Sequence, residues 1–196
     1  MSKYLKAFVT YMGNVQKSIA QEHNPHRKAI LENYLAHAAC EFSGNDVHIF
    51  DPSRTVAEPI YNVKLGDTRV TYRGMKDVQA YYDRTNEEIV MLNDEVLMVS
   101  DWGLSSYSTF VRFVKGETLA AEAWDGENTP GKVYLQISPL AMFWPYDSDA
   151  KMIGEDVWVL DKPTVSVPAP EDIVTLAARN AAAKPFLPVL NEVEYS

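Results

Sequence analysis

Three residues within one stretch are of types that move protons. Tyr34 lies on an apolar helical face, Glu58 on a short strand just before Pro59, and Tyr82 in the Tyr81-Tyr82 pair of a second helix. A phenol, a carboxylate and a second phenol, on pieces that can wall one cavity, are equipment for acid/base chemistry without a cofactor. His37 follows Tyr34 by three residues, so the two side chains are neighbours on one face. A histidine there can orient the phenol or shuttle a proton. Each residue also has a plainer reading. Glu58 is equally a strand glutamate turned to water. Tyr34 is equally a core tyrosine with its hydroxyl satisfied elsewhere, and His37 and His48 are equally helix histidines without a role.

Other chemistries are less well supplied. The four histidines form no HxH, HxxE or HxxxH pair with a carboxylate at ligand spacing, so no metal is expected. No glycine-rich phosphate loop and no GxSxG elbow occurs, and no cofactor is expected. Cys40, on a helix among small and apolar neighbours, reads as a small buried hydrophobe. Aromatic residues crowd the strands of the second half. Trp102, Tyr107, Trp124 and Trp144, with Met142 and Tyr61, are candidates to line a pocket for a flat aromatic or other hydrophobic ligand. Arg112 and Glu122 are placed to pair across a Lys115-Gly116 hairpin; if they face the cavity, Arg112 becomes an anion or oxyanion partner.

Composition bounds the partners. The formal charge of -9 opposes binding to nucleic acid or anionic lipid. No apolar run approaches the roughly 18 residues of a membrane span. The single cysteine excludes an intrachain disulfide, and residues 1–18 lack a signal-peptide pattern. These features fit a cytoplasmic protein.

The elements that must position the candidates follow from periodicity. Leu5, Phe8, Met12, Val15 and Ile19 make an amphipathic helix over 3–20, packed on its own chain or on another subunit. Asn24-Pro25 starts a second helix that runs to about Phe42 and stops near Gly44. A helical turn through Val47, Ile49 and Phe50 precedes a strand over 55–61, with Val56 and Glu58 on one face. Pro59 suits an edge or the strand's end. A second short strand over 64–72 turns at Gly66-Asp67, and a helix follows over 75–88. Strands are predicted at 95–102, 107–114, 118–124, 133–144 and 151–160, separated by turn signals. A Pro-rich connection over 164–170 and a helix over 171–183 end the ordered pattern. In the tail, Phe186, Leu187, Val189 and Leu190 are too apolar to hang free. Helices first and strands after give an α+β domain with an antiparallel sheet.

At this point the sequence resembles the SnoaL-like, or nuclear transport factor 2-like, superfamily over roughly residues 26–160. The likeness to its ketosteroid isomerase branch is sharper around Tyr34, then Ile49-Phe50-Asp51-Pro52-Ser53-Arg54-Thr55-Val56-Ala57-Glu58-Pro59, then Arg73-Gly74-Met75 and Ala80-Tyr81-Tyr82. The resemblance implies a strongly curved antiparallel sheet forming a cone closed by the N-terminal helices, a cystatin-like α+β barrel. Residues 1–24 and 163–196 would be helical additions outside the cone domain at 25–162. It implies Tyr34 as oxyanion donor, Glu58 as proton shuttle and Tyr82 as the brace of Tyr34. Met142 stands where the isomerases carry a protonated aspartic acid, which argues against steroid isomerisation.

Residues and resemblance together predict a cofactor-independent lyase or isomerase acting on an aromatic or hydrophobic small molecule. Dehydration and retro-aldol or deformylating cleavage of lignin-type diaryl compounds are members of that class. The alternatives are a non-catalytic ligand-binding protein, or a polyketide cyclase or epoxide hydrolase on the same scaffold. A homo-oligomer, dimer or trimer, is expected.

Overall fold

The computed structural model describes all residues except 66–67, 86–87 and 189–196. The expected Gly66-Asp67 turn and the tail residues Val189 and Leu190 lie outside the described residues. Helix α1 (Lys3–Gln21) buries Phe8, Tyr11, Met12 and Val15 along one stripe. Helix α2 (Pro25–Ser43) begins where the Asn24 side chain accepts from the His26 and Arg27 amides, with Pro25 in the first turn. It ends at Gly44, whose φ of 75° lets the cap N–H reach Cys40 and Glu41 carbonyls. From Leu31 to Ser43 only Glu32 and Glu41 escape full burial, so α2 is wrapped by the rest of the chain rather than laid on its surface.

A 3₁₀ turn (Asp46–Phe50) leads into β1 (Thr55–Leu65), followed by β2 (Thr68–Arg73) and α3 (Gly74–Thr85). Then come β3 (Ile89–Ser100), β4 (Gly103–Lys115), α4 (Gly116–Ala121), β5 (Val133–Pro145), β6 (Met152–Val159), β7 (Thr164–Ser166) and α5 (Leu176–Ala183). The strands form one curved, unclosed sheet in the order β2-β1-β6-β5-β4-β3, with β7 on β5. All pairings are antiparallel except β1 with β6, which is parallel.

Two sequence expectations fail here. Residues 118–124, read as a strand, lie in and after α4; the Thr-Leu-Ala-Ala run is helix-prone, and Gly116 approaches Thr129 too closely for any side chain. Pro59 is neither at an edge nor at a strand end. It sits inside β1, where the β1–β6 register slips between Thr55 and Ile60, so no ladder bond requires its missing N–H.

Helix α1 and the α5 region join the same core. Phe8 and Met12 of α1, Ile30 and Phe42 of α2, and Val174 and Ala183 near α5 belong to one buried cluster, and Phe186 and Leu187 pack against it. Arg179 of α5 is buried and donates to the Glu88 carbonyl at 2.7 Å, tying the last helix to the entry of β3.

Candidate functional site

A cavity of about 490 Å³ opens between α2 and the concave face of the sheet. Strand and helix periods explain its lining. From α2 come Tyr34, Ala38, Glu41 and Phe42, one face at steps of four and three. From β5 come Gln136, Ser138, Leu140, Met142 and Trp144, every second residue; β6 gives Glu155, Val157 and Val159 by the same rule. Val90 and Leu92 of β3, Phe110 and Arg112 of β4, Tyr11 of α1 and Tyr81 of α3 complete most of the wall. The surface is largely apolar, and its volume falls in the ordinary range for small-molecule sites.

Four carboxyls interrupt that surface: Glu88 and Glu122, paired with Arg112, and Glu41 and Glu155. Glu41 is pushed up to about 7, first by burial and then by Asp46, with Arg179 opposing. Its side chain keeps 32% of its surface accessible, and the cavity is what it faces. Glu155 is held well above the usual carboxylate range by burial, reinforced by Glu41 and Asp156. No hydrogen bond to its carboxyl is present among the described residues. Both carboxyls are thus shifted toward their protonated forms, Glu41 to about 7.

A further carboxyl, Glu95, lies behind the wall against Tyr34. Tyr34 donates to Glu95 Oε1 at 2.5 Å and accepts from the Tyr11 hydroxyl at 3.1 Å. Burial raises Glu95 to about 7 against the hydrogen bond from Tyr34. The β3–β4 register slips between Asn93 and Val96, and Asp94 takes a φ of 54°. This bulge re-aims Glu95 out of the strand alternation and toward the tyrosines. Glu95 also lines a second, outer pocket of about 330 Å³ with Lys3, Lys6 and Asn14.

The sequence candidates separate into three groups. Tyr34, Met142, Trp144 and Arg112 line the cavity. His37, Tyr82 and Tyr61 form a buried string behind it. His37 Nε2 lies 2.9 Å from the Tyr82 hydroxyl, its ring meets Trp144 edge-on at 4.7 Å, and Tyr61 contacts Met152 Sδ at 3.8 Å. Burial lowers His37 to about 3, so it is a neutral imidazole. Tyr82 thus bonds His37, and the hydrogen-bond partners of Tyr34 are Tyr11 and Glu95, contrary to the expected Tyr82 brace. The third group is outside. Glu58 is exposed, and a Cβ on Gly74 would come within 2.7 Å of its Oε2. Trp102 and Tyr107 are 50% and 51% exposed. Trp124 packs in a small separate cluster with Lys162 Nζ 4.9 Å above its ring.

The Glu58 base assignment does not survive this placement. Tyr61 and Val63 of β1 are buried on the inner side, Pro59 is buried in the same parity, and Ile60 is among the exposed apolar residues. Strand alternation then turns Glu58 outward with Ile60. Tyr107 fails as a pocket residue for the same reason, and Trp102 because it lies in the exposed turn between β3 and β4. The residues missed were Glu41, Glu155 and Glu95. Glu41 lies seven after Tyr34 and four after His37 on the face already singled out, and Glu155 alternates with Val157 and Val159; both signals were present. Glu95 carried none, because its direction depends on the bulge.

Among the described residues no group of three or more His, Cys, Asp or Glu side chains is placed to hold a metal, and no helix is long and apolar enough to cross a membrane. Cys40 is buried and its thiol is pushed up to about 11 by burial.

No protein-family model and no curated protein matches the sequence. Solved structures do. A candidate polyketide cyclase from Xanthomonas campestris pv. campestris superposes with a TM-score of 0.52 at 11% identity, covering 67% of this chain and 90% of its own. A candidate SnoaL-like polyketide cyclase from Shewanella denitrificans OS-217 gives a TM-score of 0.46 at 14% identity, covering 65% and 88%. With its helices set against a curved, unclosed seven-stranded sheet, the chain has the SnoaL-like, nuclear transport factor 2-like fold.

Proposed function

We propose that the protein is an acid/base enzyme acting on a neutral, hydrophobic, aromatic-type small molecule held in this cavity, in a lyase, isomerase or cyclase step that draws on its own side chains. One observation carries the reading: two carboxyls, both raised by burial and near enough for Glu41 to raise Glu155 further, face one apolar cavity. A carboxyl pair in a desolvated site can divide acid and base roles between its members. Glu41, with its pKa of about 7, takes a proton from carbon or from a hydroxyl group. Glu155, which burial favours in its protonated form, donates to the oxygen on which negative charge develops. Tyr34, already bonded to Glu95, shapes the wall and stiffens it rather than serving as the first donor. Retro-aldol cleavage, dehydration, double-bond shift and cyclisation all use this pairing of proton removal with charge capture. The cyclase described for the Xanthomonas structure makes cyclisation a natural member to include in a screen.

The test uses aryl ketones, aryl alcohols and β-hydroxy ketones, screened without added cofactor. Once turnover is found, Glu41→Gln and Glu155→Gln should each lower kcat by about 10²–10⁴-fold. Binding of a neutral fluorescent probe such as N-phenyl-1-naphthylamine should persist. Wild-type turnover in both variants would remove these carboxyls from the chemistry. Retained probe binding with no turnover of any substrate class would favour the ligand-binding alternative.

A further inference from the structure

Among the described residues Arg112 is the only cation lining the cavity, and most of its donors are already taken. Nε meets Glu88 Oε2 at 3.0 Å. Nη1 donates to Glu122 Oε2 at 3.0 Å and to Gln136 Oε1 at 3.1 Å, and Nη2 donates to Glu122 Oε1 at 2.7 Å. A guanidinium has five N–H groups in a fixed planar fork. Four are engaged, two of them as a bidentate pair with one carboxylate. The side chain itself is only 12% exposed, so the fork cannot swing away to meet another anion without uncovering two carboxylates.

Charge counting along the wall leads to a conclusion about the ligand. Glu88, Arg112 and Glu122 together carry one net negative charge. Deeper in, Glu41 and Glu155 add further negative charge whenever they ionise. A ligand carboxylate would have to displace one of two carboxylates from Arg112, or lie unpaired in a desolvated cavity, and either is costly. A ligand carbonyl or hydroxyl asks for neither, and the Glu155 carboxyl offers it an unused hydrogen bond.

We propose that Glu88 and Glu122 act as a charge filter: by over-neutralising Arg112 they make the cavity select neutral, oxygen-bearing hydrophobic molecules and reject their carboxylate analogues. The filter rests on the cavity being the functional site. It makes Glu88 and Glu122 specificity-determining residues without placing them in the proton transfer. A purely structural role, in which Arg112 merely pins the end of α4 to the sheet, predicts lower stability on breaking the clamp and no change in ligand choice.

Matched probes separate these possibilities. 2-Acetylnaphthalene and 2-naphthoate share a ring system and differ in charge. The wild type should bind the ketone at least tenfold more tightly than the carboxylate in a direct titration at pH 8. Glu88→Gln/Glu122→Gln frees the guanidinium and should raise 2-naphthoate affinity at least tenfold, with ketone affinity within about twofold. Glu122→Gln alone, at the more exposed partner, should give part of that gain and serves if the double variant does not fold. Adding Arg112→Gln should abolish the gain. A gain that survives Arg112→Gln would reflect general relief of negative charge and overturn the proposal. So would an unchanged preference in the Gln variants that still bind the ketone. A protein that binds neither probe in any form sinks the reading of the cavity, and the filter with it.

Discussion

The two faces of this sheet carry similar residues and do different work. On β5, Trp144 lines the cavity and is 3% exposed, while the adjacent Phe143 points to the convex side and is 45% exposed. The convex side also presents Val96, Met98 and Tyr107, with exposures of 59%, 59% and 51%. The register aligns Val96, Tyr107 and Ala141 across β3, β4 and β5, so the outer apolar residues adjoin one another. An aromatic-rich strand therefore says little about which aromatics meet a ligand; the parity of each residue against a known inward neighbour says most of it. What separates the concave face is its carboxyls. Glu41 from α2 and Glu155 from β6 stand in an apolar wall, whereas acidic groups elsewhere, such as Glu127 and Asp101, are exposed and ion-paired.

The strongest test of that contrast compares neighbours on one strand. Trp144→Ala removes a buried ring that meets Tyr34 at 5.1 Å and His37 at 4.7 Å, both edge-on. It should cost about 3–5 kcal/mol in urea unfolding. Phe143→Ala should stay within about 1 kcal/mol, since nearly half of its surface is already in water. Equal losses would mean that the convex face is covered, most simply by a second copy of the chain, which is where the expected homo-oligomer would form. Sedimentation of the wild type across a concentration series decides that case.

The next effect is on pH. Glu41 and Glu95 have folded values of about 7, above their ordinary value of 4.5, and Glu155 is displaced in the same direction. A raised carboxyl binds its proton more tightly in the folded state. Its favourable contribution is complete below pH 4.5 and is lost as pH rises toward 7. Unfolding free energy should therefore fall between pH 5 and pH 8. The loss should be roughly 1–3 kcal/mol, after discounting for the solvent that reaches Glu41 through the cavity. Glu41→Gln/Glu95→Gln should flatten this slope. A wild-type stability that climbs through that window would show that these groups are ordinary, ionised carboxylates.

Much of the scaffold was legible because its signals are local. Asn24-Pro25 and Gly44 bracket α2 in both sequence and structure, and the α1 stripe packs where its spacing places it. The helices-then-strands order and the family resemblance agree with the fold. The parallel pairing of β1 with β6 was not legible, since it joins segments about 90 residues apart and leaves no local mark. The candidate cavity is legible by halves. Tyr34, Met142, Trp144 and Arg112, singled out in the sequence, line it, and so do Glu41 and Glu155, which stand at positions that helix and strand periods make readable. Glu95 was not readable, because a bulge with a left-handed Asp94 breaks the alternation on which any strand reading depends. The Glu58 reading also contained its own contradiction. Glu58 and Tyr61 are three apart, so a regular strand cannot turn both into one cavity.

That contradiction sets the smallest expected effect, and the one most opposed to the family resemblance. Glu58→Gln changes an exposed side chain on the outer side of β1, beside the Gly74 that opens α3. Turnover should stay within about twofold of wild type, and unfolding free energy within about 0.5 kcal/mol. Glu41→Gln, measured beside it on the same substrate, should lose activity by orders of magnitude. The pair of variants is informative because the substitution is the same and only the face differs. Were Glu58→Gln the inactive one, the slipped segment between Thr55 and Ile60 would have to re-register when ligand binds, bringing Glu58 inward and Pro59 out. Amide hydrogen exchange at residues 55–60, compared with and without ligand, would detect that movement; unchanged exchange there, with Glu58→Gln fully active, leaves the acid/base work to the concave face.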